Sequence, residues 1–93
     1  MLALPQELTQ VQATACLAGL LQAVSKETGP QVVVDASALT RFDSAALAVL
    51  LACRRQVLAS GKQFAIHGLP KRLADLAALY GVDVLLAPAA PAP

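Results

Sequence analysis

Aromatic side chains are almost missing from this chain. There are two Phe, one Tyr and no Trp among 93 residues, although 57% of the residues are hydrophobic. Any core must therefore be built from Ala, Leu and Val, and the length allows one domain with one modest core. Charge is sparse as well. Seven basic and six acidic residues leave a net charge of +1, and the only basic doublets are Arg54-Arg55 and Lys71-Arg72. That excludes the clustered Lys/Arg footprint that nucleic acid or an anionic membrane requires. Only Cys16 and Cys53 are present. Both fall in expected helices beside apolar neighbours and read as buried, reduced thiols. With His67, the single histidine, they lack the close pairwise spacing of a zinc site, and no metal or other cofactor is expected. The N-terminus has no basic leader or apolar region suited to export, and the longest apolar run, 45–53, is too short to cross a bilayer. The chain reads as cytoplasmic.

Catalytic motifs are absent too. Ser44 as a nucleophile would need a base, and the only histidine is expected at the end of a different strand. The G-x-S-x-G elbow is missing, since Ser44 stands between Asp43 and Ala45. Asp35, Asp43, Asp75 and Asp83 form no metal or glycosidase motif. The five glycines are scattered singly, so no loop cradles a phosphate. The chain is read as no enzyme.

What is present is alternation. A short strand is expected over 1–4, ended by Pro5, and helix from about Leu8. From Ala13 the positions Cys16, Leu17, Leu20, Leu21 and Val24 recur at helical spacing. Gly29-Pro30 turns the chain into a β-branched strand over 31–35. A helix over 44–60 stops at Gly61, and an alternating strand follows over 63–67. Pro70 opens a third helix striped by Leu69, Leu73, Leu76, Ala77 and Tyr80, with Gly81 as its stop and the Tyr80 ring packed beneath it. A last edge strand is expected over 82–86. The domain is thus 1–86, followed by an unstructured Ala/Pro tail over 87–93. This order argues for a small α/β fold, a largely parallel or mixed sheet packed with helices.

The stretch from Asp35 to Leu51 stands out. A buried strand runs into a polar loop that closes on Asp43-Ser44, either of which can cap the following helix. A hydroxyl at that point sits at the positive end of the helix dipole, where added negative charge is tolerated. At about 100° per residue, Leu47, Leu50, Leu51 and Leu58 fall on the sheet side of this helix. Ala45, Val49, Ala52 and Gln56 fall opposite, flanked by Ala48 and Arg55. An outer face of small apolar residues is unusual for a solvated helix and suits a protein partner. Ser44 is the candidate regulatory residue or phosphoacceptor. The candidate partner-binding residues are Thr40, Arg41, Asp43, Ser44, Ala45, Ala48, Val49, Ala52 and Arg55.

From Val32 to Leu51 the sequence reads strand-Asp-x-Ser-x-Leu-x-x-Phe-Asp-Ser-x-x-Leu-x-x-Leu-Leu. With Gly61-Lys62, the strand at 64–66 and Gly68-Leu69, this resembles the STAS domain family of sulfate transporters and anti-sigma factor antagonists. The segment from Leu76 through Tyr80 to Leu85 is similar to the C-terminal part of the Mla-type STAS subunit. That protein belongs to the phospholipid-trafficking ABC transporter that maintains outer-membrane lipid asymmetry. The resemblance implies a STAS fold that binds without catalysis. The expected partner is the transporter's ATPase subunit, which would hold the chain at the inner membrane only indirectly. The alternative it implies is an anti-sigma factor antagonist, bound by a serine kinase that phosphorylates Ser44 and so abolishes binding. Two departures stand out. Ala46 replaces a usual glycine, which puts close approach of a partner backbone there in doubt. Only 1–4 could supply a leading strand where a pair is usual, so one sheet edge is left open to pairing with a second copy.

Overall fold

A computed structural model describes residues 2–86. The expected tail over 87–93 lies outside the described residues. The element order is β1 (Leu2–Ala3), β2 (Glu7–Leu8), α1 (Ala13–Lys26), β3 (Gln31–Asp35), β4 (Arg41–Phe42), α2 (Ser44–Ala59), β5 (Gln63–His67), α3 (Lys71–Leu79) and a 3-10 turn over Asp83–Leu85. Three strands form a parallel sheet in the order β1-β3-β5, and β2 pairs in parallel with β4 as a separate two-stranded ribbon. This is the small α/β architecture expected.

The register explains the burial. Val32 lies opposite Phe64 and Val34 opposite Ile66, so these four share one face of the pleat. Val32, Val34 and Ile66 are all essentially inaccessible. They meet Leu20 and Val24 of α1, Leu50, Cys53 and Val57 of α2, and Leu73 and Ala77 of α3 in one cluster. Apart from Cys53, the buried core of the described residues is aliphatic, and Phe42 and Phe64 pack only at its margin.

α2 and α3 end alike. Gly61 and Gly81 adopt φ of +76° and +74°, the left-handed conformation that glycine takes without a Cβ penalty. In each case the next N–H bonds back across the turn, Lys62 to the Val57 carbonyl and Val82 to the Ala77 carbonyl. This is the Schellman arrangement.

Four sequence expectations change. Helix does not begin near Leu8, because Glu7–Leu8 pairs with Arg41–Phe42 and Leu8 is fully buried. The turn into α1 is held by the Gln12 side chain, whose Oε1 accepts from both the Thr9 N–H and the Thr9 hydroxyl. The chain therefore has two leading strands, each short and in a different sheet. No strand forms over 82–86; the chain folds back through the 3-10 turn and drops Leu86 into the core at 3% exposure. Tyr80 is 59% exposed, so its ring is not packed under α3.

The fourth change concerns α2. Its buried residues are Ala46, Leu47, Val49, Leu50, Cys53 and Val57, whereas Leu58 is exposed and Leu51 half-buried. Positions 46, 50, 53 and 57 form the core stripe, so the helix is turned by less than one residue's step, about 100°, from the expected orientation. The cause is α1, which packs along one flank of α2 and brings Val49 inside. Ala46 is also fully buried and faces this chain's own core. No helix is long and apolar enough to cross a membrane among the described residues.

Candidate functional site

The mouth of α2 is built by Asp43. Its backbone is extended at φ −133°, and its side chain caps the helix, with Oδ1 accepting from the Ala45 N–H at 2.8 Å. Its other oxygen accepts from the Gln10 N–H at 3.2 Å. One carboxylate thus ties the loop entering α1 to the first turn of α2. Asp43, and not Ser44, is the cap.

Ser44 is left free by this division of labour. It is exposed, and its hydroxyl makes no hydrogen bond among the described residues. Gln10, Asp43, Ser44, Ala45 and Ala48 line an open hollow of about 410 Å³. A second hollow of about 320 Å³ lies between the helices, lined by Ala13, Thr14, Leu17, Ala45, Ala48, Val49 and Ala52. Ala45 and Ala48 belong to both, so the two run together as one groove from the Ser44 hydroxyl along the α1/α2 seam.

The structure gathers Asp43, Ser44, Ala45, Ala48 and Ala52 along this groove. Val49 is only 3% exposed and forms part of the floor, so it is not on the outer face assigned to it. Thr40 and Arg41 are exposed but do not line the groove; the Gln6 carbonyl accepts from both backbone N–H groups, at 2.9 and 3.1 Å. Arg55 is exposed on α2 without lining either hollow. Gln10, Ala13, Thr14 and Leu17 are the residues that reading α2 alone missed. The signal for them was available: no charged residue occurs between Glu7 and Lys26, which is uncommon for a helix with a solvated face.

The far end of β3 carries a separate polar cluster. Asp35 Oδ1 accepts from the Ser37 hydroxyl at 2.6 Å and the Ser37 N–H at 3.0 Å. The Ser37 hydroxyl bond, then the Ser37 backbone bond, hold the Asp35 carboxyl below its usual range, with a smaller contribution from His67 on the neighbouring strand. Ser37 donates its proton directly to the carboxylate and no histidine stands between them. That is turn chemistry of the Asx kind and not a relay that activates a nucleophile. Asp43 is likewise held by two N–H groups. The groove therefore offers a hydroxyl, a helix N-terminus and small apolar side chains.

Residues 1–87 match the family described as "Mlab, STAS domain". No curated protein matches the chain. The match covers nearly the full length, and the chain belongs to the STAS domain family, whose members act by binding other proteins and not by catalysis.

Proposed function

We propose that this chain is the docking subunit of an Mla-type phospholipid transporter. In this reading it seats on the transporter's ATPase subunit through the groove that runs from Ser44 along the α1/α2 seam. The observation that carries the reading is the pairing of a hydroxyl with no bond among the described residues and an adjoining strip of alanines. Ala48 is exposed, and Ala45 and Ala52 are half-buried. Small side chains lose little rotamer entropy on burial, so such a strip is inexpensive to cover with another polypeptide. The matched family description and the segment around Tyr80 favour the transporter over other partners. Association with the inner membrane then runs through that partner.

The free hydroxyl also supports a second reading, an anti-sigma factor antagonist switched at Ser44. A phosphoryl group there would bring nearly two negative charges, which the start of α2 accepts but the neighbouring Asp43 and the apolar strip do not. Binding would fall.

Co-expression tests the first reading. The full chain is expressed with the transporter ATPase subunit and, separately, with a sigma-factor-regulating serine kinase, and the complexes are isolated through a tag on the partner. Retention on the ATPase alone supports the transporter assignment. Retention on the kinase alone, with mass spectrometry placing a phosphate on Ser44, overturns it in favour of the second.

A further inference from the structure

Two properties of the groove along the α1/α2 seam restrict what can fill it. Both walls are helices, with Ala13, Thr14 and Leu17 on one side and Ala45, Ala48 and Ala52 on the other. Beyond the first turn of α2, the backbone groups of such walls are already bonded along each helix. An extended segment laid there would lose the water on its own N–H and C=O groups and find no replacement. A helix brings its backbone bonds with it, and small side chains in the walls let its axis come close.

The second property is charge. The only charged residues of α1 and α2 are Lys26, Arg54 and Arg55, all positive. Arg55 stands one heptad after Ala48 and so points within about 20° of it, on the same outward side as Ser44 and Ala52. Arg54 is turned about 100° away. Arg55 is exposed, and neither arginine has an ion pair or hydrogen bond among the described residues. Asp43, at the other end of α2, lies about 18 Å away along the axis. Its two oxygens are committed to the N–H groups of Ala45 and Gln10. The groove thus ends on a cation without a counter-charge among the described residues.

Building on the docking function proposed above, we infer that the segment of the ATPase subunit seated in this groove is an α-helix with a small apolar face and an Asp or Glu over Arg55. A guanidinium at the rim of an interface sets orientation and rate of approach more than total affinity. The carboxylate also gives the contact a direction along the groove, because Asp43 repels it from the Ser44 end.

Titration of the purified ATPase subunit with the full chain tests this at about 0.05 M and about 0.5 M salt. The variants are Arg55→Glu and Arg54→Glu, each checked by circular dichroism. They change net charge equally, but only Arg55 lies on the groove side. Arg55→Glu should bind about tenfold or more weakly at low salt, and high salt should narrow the gap. Arg54→Glu should stay within about threefold of the unaltered chain. Equal loss in the two variants, or none in Arg55→Glu, overturns the inference and leaves the docking function standing. No binding by the unaltered chain overturns both. Arg55→Lys, treated with a water-soluble carbodiimide in the complex, then identifies the partner residue. Its amine should form an amide with an Asp or Glu whose neighbours at helical spacing are small and apolar. Capture of no carboxylate, or of one in an alternating extended segment, overturns the helix.

Discussion

Asp43 is the residue on which the site depends, because its two oxygens serve two segments. Oδ1 closes the first turn of α2 and Oδ2 holds the Gln10 loop against it. Replacing it by alanine leaves the Ala45 and Gln10 N–H groups without their acceptor. Asp43→Ala should therefore cost about 1–2 kcal/mol, read from the urea midpoint. Asp43→Asn keeps an acceptor oxygen and should recover much of that loss. Equal loss in both variants would show that charge, and not the bond, is what matters.

Cys53 gives a second prediction at this scale. It is fully buried on α2, and burial, reinforced by the nearby Cys16, pushes its thiol up to about 11. An unfolded chain releases that proton at lower pH than the folded one. The unfolded state therefore binds fewer protons between the two values, and stability should fall as pH rises from about 9 towards 11. Cys53→Ala should flatten this decline in the thermal midpoint. An unchanged slope would assign the alkaline loss to other groups. Native Cys53 should also react with a thiol reagent more slowly than half-buried Cys16.

At the scale of elements, the instructive case is α2. Its boundaries, the strands β3 and β5 and the Gly61 stop were legible, because caps, β-branched runs and positive-φ glycines act within a few residues, whereas β4 was read as loop. The orientation of α2 was not legible. Leu47, Leu50, Leu51 and Leu58 define a sheet-facing side only if the sheet is the helix's one neighbour. α1 is a second neighbour, and it widens the buried arc to take in Val49. The same blindness to long-range contact hid β2, since Glu7–Leu8 becomes a strand only by meeting Arg41–Phe42. Leu86 likewise reads as an alternating strand residue until it is seen anchoring a turn. The α1 wall of the groove was missed for the same reason: the uncharged stretch is legible in the sequence, but Thr14 and Leu17 join Ala48 only when the helices pack.

That correction separates two substitutions that α2 alone would not distinguish. Val49→Lys places an ammonium group in the core beneath α1. It should cost of order 3–5 kcal/mol and unfold much of the protein, visible as lost ellipticity. Ala48→Arg, one residue earlier and exposed, should leave the thermal midpoint within a few degrees of the unaltered chain. Comparable stability in the two variants would return Val49 to the outer face.

Across the whole molecule, two loops at the C-terminal ends of the parallel strands must pass very close. A Cβ added to Gly68 would lie 2.8 Å from the Ser37 Cβ, and Gly68 itself adopts φ +70°. Both strain and collision oppose any side chain there. Gly68→Ala should lower the unfolding free energy by about 2 kcal/mol or more, measured by chemical denaturation. A neutral outcome would mean that the loops after β3 and β5 are free to separate. The polar Asp35–Ser37 turn is packed against its neighbouring loop, whereas the Ser44 hydroxyl makes no bond among the described residues.

On the function proposed here, another protein binds in the groove that runs from Ser44 along the α1/α2 seam. Calorimetric titration of the purified transporter ATPase subunit with the full chain tests it most directly, using the unaltered protein, Ser44→Asp, Ala48→Arg and Thr14→Arg. The unaltered chain should bind, and each variant should bind about tenfold or more weakly, with circular dichroism unchanged. Unaltered affinity in Ala48→Arg and Thr14→Arg would contradict it, for a partner seated on that seam could not ignore two arginines placed in it.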